Sequence, residues 1–487
     1  MKKTKNIISL LLLCALLASC GSGSTEPKQT EDTTATGGDT TTEAAEKSRL
    51  DELGAKDFGG GEFIIYDATD YPERSMNIDS EERAGDSVNE AIHARDSKMA
   101  DLYNVKIKYE QAGSIGAADA CKAILQGHLA GDKVCDLVYS TAAAADTLMN
   151  LAKQNVLANM NDIEYFSFDK PWWSNFVYKN LTLDGKTYFM SGDITPTMYM
   201  TPMVIFGNLN LIEQYTPDAD IYKLVSDGQW TIDKLIEYNN FNEDVNGDNV
   251  MNTSDDFFGF CINTVQNELT SNAFVVAGDV DLCTNTGDNI TINLDNDHAA
   301  SVVEKLSRVM GTKVKENDYG DWIMKAFPTD KIIFAQAGMT NATDLRNMSS
   351  DFLILPLPKY DEAQTNYKSL MNAWETAFTA IPANADTDMS GFLAEALCYE
   401  SYVSVRPQVY DKLLKQKLAR DEQSTKMIDL IFDTLTLDFN ALANFGGTTT
   451  ILADAVYKGK PLVSGIAEKK DKAVSDIEKF IDSWNQE

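Results

Sequence analysis

Apolar positions along this chain follow two rhythms that alternate from the first folded segment onward. Glu62-Phe-Ile-Ile-Tyr66 is a β-rich run set off by Gly59, Gly60 and Gly61. From Asp86 to Tyr103 the spacing becomes helical, with Val88, Ile92, Met99, Leu102 and Tyr103 on one broad face. Val105 to Tyr109 alternates as a second strand. An alanine-rich helix follows to about His128, then a strand over Val134 to Tyr139 and a helix through Leu151. This β-α-β-α-β order predicts an α/β domain with a largely parallel sheet.

The same grammar restarts after residue 200. Met203 to Phe206 reads as a strand, Leu209 to Gln214 as a short helix, and Thr231 to Asn239 as a helix begun by Thr231 as N-cap. A strand and helix over Lys331 to Arg346 precede Asp351-Phe-Leu-Ile-Leu-Pro-Leu-Pro358, whose prolines suit an edge or crossing strand. From Met389 the chain turns mostly helical, with amphipathic runs at Phe392 to Tyr402, Thr425 to Thr434 and Val474 to Trp484.

The N-terminus obeys neither rhythm. Lys2, Lys3 and Lys5 precede an apolar run from Ile7 to Leu17, too short to span a bilayer and of the length an export signal uses. Leu16-Leu17-Ala18-Ser19-Cys20 resembles the bacterial lipobox. The resemblance implies cleavage of a signal peptide over residues 1–19, acylation of the Cys20 thiol, and a chain tethered by lipid on the extracytoplasmic face of the cell membrane. Residues 21–47 are mostly Ser, Thr, Gly, Glu and Asp, a composition that cannot offset its ordering entropy, so residues 20–57 are expected to be a lipidated Cys and flexible linker.

Composition narrows the classes further. With 487 residues, 44% hydrophobic, the chain can bury two or three domains' worth of core. A formal charge of −32 argues against a nucleic-acid partner. The five cysteines beyond Cys20 (Cys121, Cys135, Cys261, Cys283 and Cys398) lack C-x-x-C spacing and read as small core residues instead of zinc ligands or disulfides.

Several segments, in this order, resemble the periplasmic-type extracellular solute-binding proteins of carbohydrate ABC transporters. They are Asp136-Leu-Val-Tyr139, Asn155-Val-Leu-Ala-Asn-Met-Asn161, Lys170-Pro-Trp-Trp173, Gly185-Lys-Thr-Tyr-Phe-Met-Ser-Gly-Asp193, Gly228-Gln-Trp-Thr-Ile-Asp-Lys-Leu235, Phe334-Ala-Gln-Ala-Gly338 and Leu355-Pro-Leu-Pro-Lys-Tyr-Asp361. The resemblance covers nearly the whole mature chain. It implies an α/β, two-lobe, type II periplasmic-binding-protein-like fold with discontinuous lobes joined by hinge strands. Residues 58–196 plus 327–358 are expected in lobe 1 and 200–326 plus 368–487 in lobe 2. The implied activity is capture of a small-molecule solute, a sugar or oligosaccharide, between the lobes of a monomer and its delivery to ABC transporter permease subunits. No required cofactor is implied. A peptide ligand, or a surface lipoprotein that binds or hydrolyses glycan, are the alternatives.

Two constellations carry candidate chemistry. Asp244, Asn246, Asp248, Asn252 and Asp255 place oxygen side chains at positions 1, 3, 5, 9 and 12 of a calcium loop, and Val250 offers its carbonyl at position 7. Asn249 stands where such loops carry Gly and Asp255 where they carry Glu; a structural Ca2+ near lobe 2 is the expectation. Sugar rings stack on aromatic faces while their hydroxyls need polar partners. Trp173, Tyr199, Trp322 and Trp374 are the expected stacking residues, and Asp193 and Asn372, flanking the expected lobe crossings, the hydroxyl partners. Enzyme signatures are missing: His93, His128 and His298 are the only histidines, and no G-x-S-x-G, H-E-x-x-H, Walker loop or G-x-G-x-x-G occurs.

Overall fold

The computed structural model describes residues 47–70, 74–143, 146–252, 254–262, 267–310, 325–419 and 421–486. Cys20, the leader, most of the linker and Trp322 lie outside these residues. Among the described residues no helix is long and apolar enough to cross a membrane.

The first lobe grows from the rhythm that opens the sequence. Strand Gly61–Ala68 pairs in parallel with Val105–Gln111 on one side and with Leu137–Ser140 on the other. Phe63, Ile65, Leu137 and Val138 lose all contact with solvent, each burial contributing about 1.5–3 kcal/mol. Helix Ser87–Tyr103 starts where the Asp86 carboxylate accepts from the Val88 and Asn89 N–H groups, and ends at Asn104 in the left-handed conformation, φ 47°. Its buried stripe holds Val88, Ile92, Met99 and Tyr103. Leu102, expected on that stripe, is 52% exposed. The fourth strand comes from far down the chain: Phe378–Ala380 joins antiparallel to Leu137–Ser140.

The second lobe is a sheet in the order Phe258–Cys261, Ile332–Gly338, Met203–Asn208, Phe352–Leu355. Residues 327–358, expected in lobe 1, therefore belong here. Ile332–Gly338 runs antiparallel to Met203–Asn208 (Met203 opposite Gly338) and parallel to Phe258–Cys261. Its first five residues are buried, as suits an inner strand, and a run buried on both faces fits the interior of either sheet. Phe352–Leu355 lies at the edge, as its following prolines required.

The C-terminal third, assigned above to lobe 2 alone, serves both lobes. Phe392, Leu393, Leu397 and Cys398 of helix Thr387–Glu400 join the core under the first sheet. Val405, Val409 and Leu414 cover the second sheet together with Ile428 and Ile431. Helix Leu462–Trp484 spans the two: Leu462 and Ile466 pack in the second lobe, Ile477, Phe480 and Trp484 in the first. All five described cysteines are buried and free.

Candidate functional site

The two lobes are joined where the chain crosses between the sheets. Residues 201–202 and 371–372 run side by side: the Asn372 N–H donates to the Thr201 carbonyl at 3.0 Å, and Pro202 pairs antiparallel with Met371. Immediately afterwards the chain turns sharply. The Asn372 side-chain oxygen accepts from the Trp374 N–H at 3.1 Å, and its carbonyl accepts from the N–H groups of Glu375 (3.2 Å) and Thr376 (3.0 Å). The Thr376 hydroxyl donates to the same carbonyl at 2.8 Å. This knot of bonds fixes one residue in an unusual place for its type: Trp374 is 48% exposed.

Trp374 faces a cavity of about 1050 Å³. Ala142, Met149 and Phe480 wall it from the first lobe, Leu269 and Asn272 from helix Asn267–Ala277 of the second. Past Trp374 and Glu375, which border both spaces, lies a small chamber of about 30 Å³ lined by Asp70, Arg74, Ser75, Asn77, Thr197 and Thr340 among others. Two unpartnered buried polar atoms among the described residues belong to these walls: Asn272 Oδ1 in the cavity and Asn77 Nδ2 in the chamber. A buried polar atom without a partner costs about 1–3 kcal/mol, so these atoms need water or a ligand.

Charge is distributed unevenly around the cavity. Glu268 accepts from the Thr449 and Thr450 hydroxyls at 3.0 and 2.9 Å, and Asp476 is paired with Lys472. Glu375 has no such support among the described residues. Burial raises its carboxyl above the ordinary glutamate range, and the nearby Arg74 charge offsets this only in part.

The residues expected from sequence divide sharply. Asn372 and Trp374 line the cavity together. Trp173, Asp193 and Tyr199 do not reach it; each is a buried residue with a structural partner. The Trp173 indole N–H donates to Glu395 Oε2 at 2.7 Å and Trp172 to Glu395 Oε1 at 3.2 Å. The Tyr199 hydroxyl donates to Asp193 Oδ1 at 2.5 Å. Burial pushes the Asp193 carboxyl up to about 7 against the Tyr199 bond and the Arg406 charge, which act to lower it. Tyr199, Tyr402 and Tyr410 surround the Arg406 guanidinium, whose carbon lies 5.1–6.0 Å from the three ring centroids. Proximity to the crossing in sequence thus did not translate into facing the cleft. Glu375 and Asn272 were missed. For Glu375 the only signal was its place beside Trp374, and Asn272 gave none, since its helix position reads as surface or core alike.

The acidic loop folds on itself. Asp244 accepts from the N–H groups of Gly247 (2.7 Å) and Asn249 (2.8 Å), Asn246 from Asp248 (2.9 Å), Asp248 from Val250 (2.7 Å) and Asn252 from Asp255 (3.1 Å). Asn249 takes the left-handed conformation, φ 61°, that its position demanded. Asp255 is exposed, while the next residue, Asp256, is buried and accepts from Val245 (3.0 Å) and Asn252 (2.8 Å). Among the described residues no three of His, Cys, Asp and Glu gather in one group.

No protein family matches the sequence, and no curated protein matches it. In three dimensions the chain is similar to cyclo/maltodextrin-binding protein complexed with maltotetraose, with a TM-score of 0.57 at 12% identity, over 87% of this chain and 98% of that one. The two sheets, the exchanged segments and the paired crossing strands, together with this likeness, give the chain a two-lobe, type II periplasmic-binding fold.

Proposed function

We propose that this protein is a solute-binding protein that holds a carbohydrate between its lobes. The observation that carries the reading is Trp374: a large aromatic ring held open by a hydrogen-bonded turn, inside an interlobe cavity of about 1050 Å³ that also carries an unpartnered polar atom. An apolar ring face with polar groups around it suits the C–H faces and hydroxyls of a sugar. The similarly folded protein named above was solved with maltotetraose, which favours an oligosaccharide here as well. In this reading the lobes rotate about the strands at 201–202 and 371–372, and closure buries the ligand without covalent chemistry. Delivery to ABC transporter permease subunits and a lipid tether at Cys20 complete the proposal; the lipobox-like Leu16–Cys20 supports the tether.

Calorimetry and X-ray scattering against a panel of neutral, acidic and amino oligosaccharides test the reading. One-to-one binding with a smaller radius of gyration is expected, weakened in Trp374→Ala. Turnover of the bound oligosaccharide would replace it with a hydrolase, and binding without compaction would remove hinge closure. Mass spectrometry of the mature N-terminus, with a diacylglyceryl Cys20 expected, tests the tether.

A further inference from the structure

The proposed carbohydrate reading leaves open what kind of sugar fits, and the floor of the site speaks to that. Glu375 borders both the cavity and the small chamber. Among the described residues no hydrogen bond supports its carboxylate, and the opposite charge acting on it is Arg74, which lines the same chamber. The Trp374 ring is its immediate neighbour in the chain and stands half-exposed in the same space. On the opposite wall, from the other lobe, Asn272 presents a side-chain oxygen that is buried and unpartnered. Asn77, fully buried, turns an unpartnered Nδ2 to the chamber while its Oδ1 accepts from the Thr197 N–H at 3.1 Å.

These groups prescribe their complement. Glu375 and Asn272 offer acceptors and require donors; Asn77 offers a donor and requires an acceptor close by. A neutral hydroxyl would answer the geometry but leave the carboxylate without a full counter-charge. A protonated amine answers both, because a charge-assisted bond to a carboxylate is roughly twice as strong as a neutral one and an adjacent aromatic face attracts a cation. The chamber's volume, about 30 Å³, is close to that of one water and admits a single small group, not a ring. Lys153 and Lys479 line the cavity but not the chamber, whose charged lining is Asp70, Glu375 and Arg74, two acidic side chains to one basic. We propose that the ligand carries a protonated amine flanked by hydroxyls, as an amino sugar does, and that Glu375 with Trp374 forms the subsite that reads it. The ring rests on Trp374, the ammonium donates to Glu375, a sugar hydroxyl donates to Asn272, and a neighbouring hydroxyl oxygen accepts from Asn77.

Calorimetry with the full chain at neutral pH tests this with defined probes: a glucosamine trimer with free amines, its fully N-acetylated form, maltotetraose and alanine tripeptide. The free-amine trimer is expected to bind about tenfold or more tightly than the acetylated trimer. Glu375→Gln, checked for an unchanged unfolding midpoint, should bring the free-amine trimer down to the level of the acetylated one. Asn77→Ala should weaken the sugar and leave the tripeptide as it was. Equal or tighter binding of acetylated trimer or maltotetraose, still dependent on Trp374, overturns the amine subsite and leaves the carbohydrate reading standing. Glu375-dependent binding of the tripeptide alone keeps the amine subsite and removes the carbohydrate. If none of the four probes binds, the amine-sugar inference is overturned along with its premise.

Discussion

Two tryptophan–glutamate groups in this molecule use the same residue types for opposite ends. At Glu395 both carboxylate oxygens accept from indole N–H groups, and Arg49 Nε adds a bond of 2.9 Å to Oε1. The Glu395 side chain is fully buried, and Trp173 packs edge-on against Phe166 and Phe168. At Glu375 the carboxylate has no hydrogen-bond partner among the described residues, and its tryptophan stands open to a cavity. The first group ties the start of the folded region, the 172–173 segment and helix Thr387–Glu400 into one lobe; the second is left incomplete at the junction of two lobes. What separates structure from site here is satisfaction of polar groups, not composition.

Removing the carboxylate at each place is the most forceful way to break this contrast. Glu395→Ala leaves two indole N–H groups and the Arg49 Nε–H without their acceptor, and should cost about 3–5 kcal/mol in urea unfolding. Glu375→Ala, which strands no donor, should change stability by less than about 0.5 kcal/mol. Equal losses at the two sites would erase the distinction.

Asp193 sharpens the contrast from within the satisfied class, since a single hydrogen bond there does not offset burial. Unfolded, its carboxyl ionises near the ordinary aspartate value of about 4; folded, it does so at about 7. Between these values the native chain holds a proton that the unfolded chain has released, so stability falls as pH rises from about 4 to 7 and stays lowered above. Asp193→Asn keeps an acceptor for the Tyr199 hydroxyl and removes the charge. It should raise stability by about 2–4 kcal/mol at pH 8, with the gain fading toward pH 4, read from urea midpoints across pH. A gain independent of pH would refute the assignment.

Local pattern carried much of the fold. The first sheet's three parallel strands and their helices were legible because each element's own apolar spacing places it, and Pro356 and Pro358 marked Phe352–Leu355 as an edge. The home of Ile332–Gly338 was not legible, because its neighbours in the sheet, Met203–Asn208 and Phe258–Cys261, are more than 70 residues away in sequence and nothing in a fully apolar strand names its partner. The site was harder still. Trp173 and Trp374 look alike in sequence; only the long-range arrival of Glu395 beneath one and of an empty space beside the other tells them apart.

Exchanging the two tryptophans' fates is the next test in size. Trp374→Ala should weaken oligosaccharide binding by about 1–3 kcal/mol, on the scale of ring stacking against aromatics, and leave the unfolding midpoint where it is. Trp173→Ala should do the reverse, lowering stability through the cavity it leaves without touching affinity in the fraction that folds. Calorimetry paired with urea titration reads both quantities on each variant. Loss of affinity in Trp173→Ala at full folding would return that residue to the site.

The smallest effect is expected at the loop from Asp244 to Asp256, where satisfied and unsatisfied carboxylates stand next to each other in sequence. Asp256 is buried and accepts two backbone N–H groups, from Val245 and Asn252; replacing it with Ala leaves both donors stranded and should cost about 1–2 kcal/mol. Asp255 points to solvent, and Asp255→Ala in chelator should cost less than about 0.5 kcal/mol. Calcium separates the two further. An ion filling the loop in the order set by Asp244, Asn246, Asp248, Val250 and Asn252 draws its closing ligand from position 12, which is Asp255, so that residue must turn inward to bind. Under that arrangement Asp255→Ala gains a cost in millimolar calcium that it lacks in chelator, and the two urea midpoints diverge. If they coincide, the loop keeps its shape through its own backbone bonds, with Asp256 as the carboxylate that closes it.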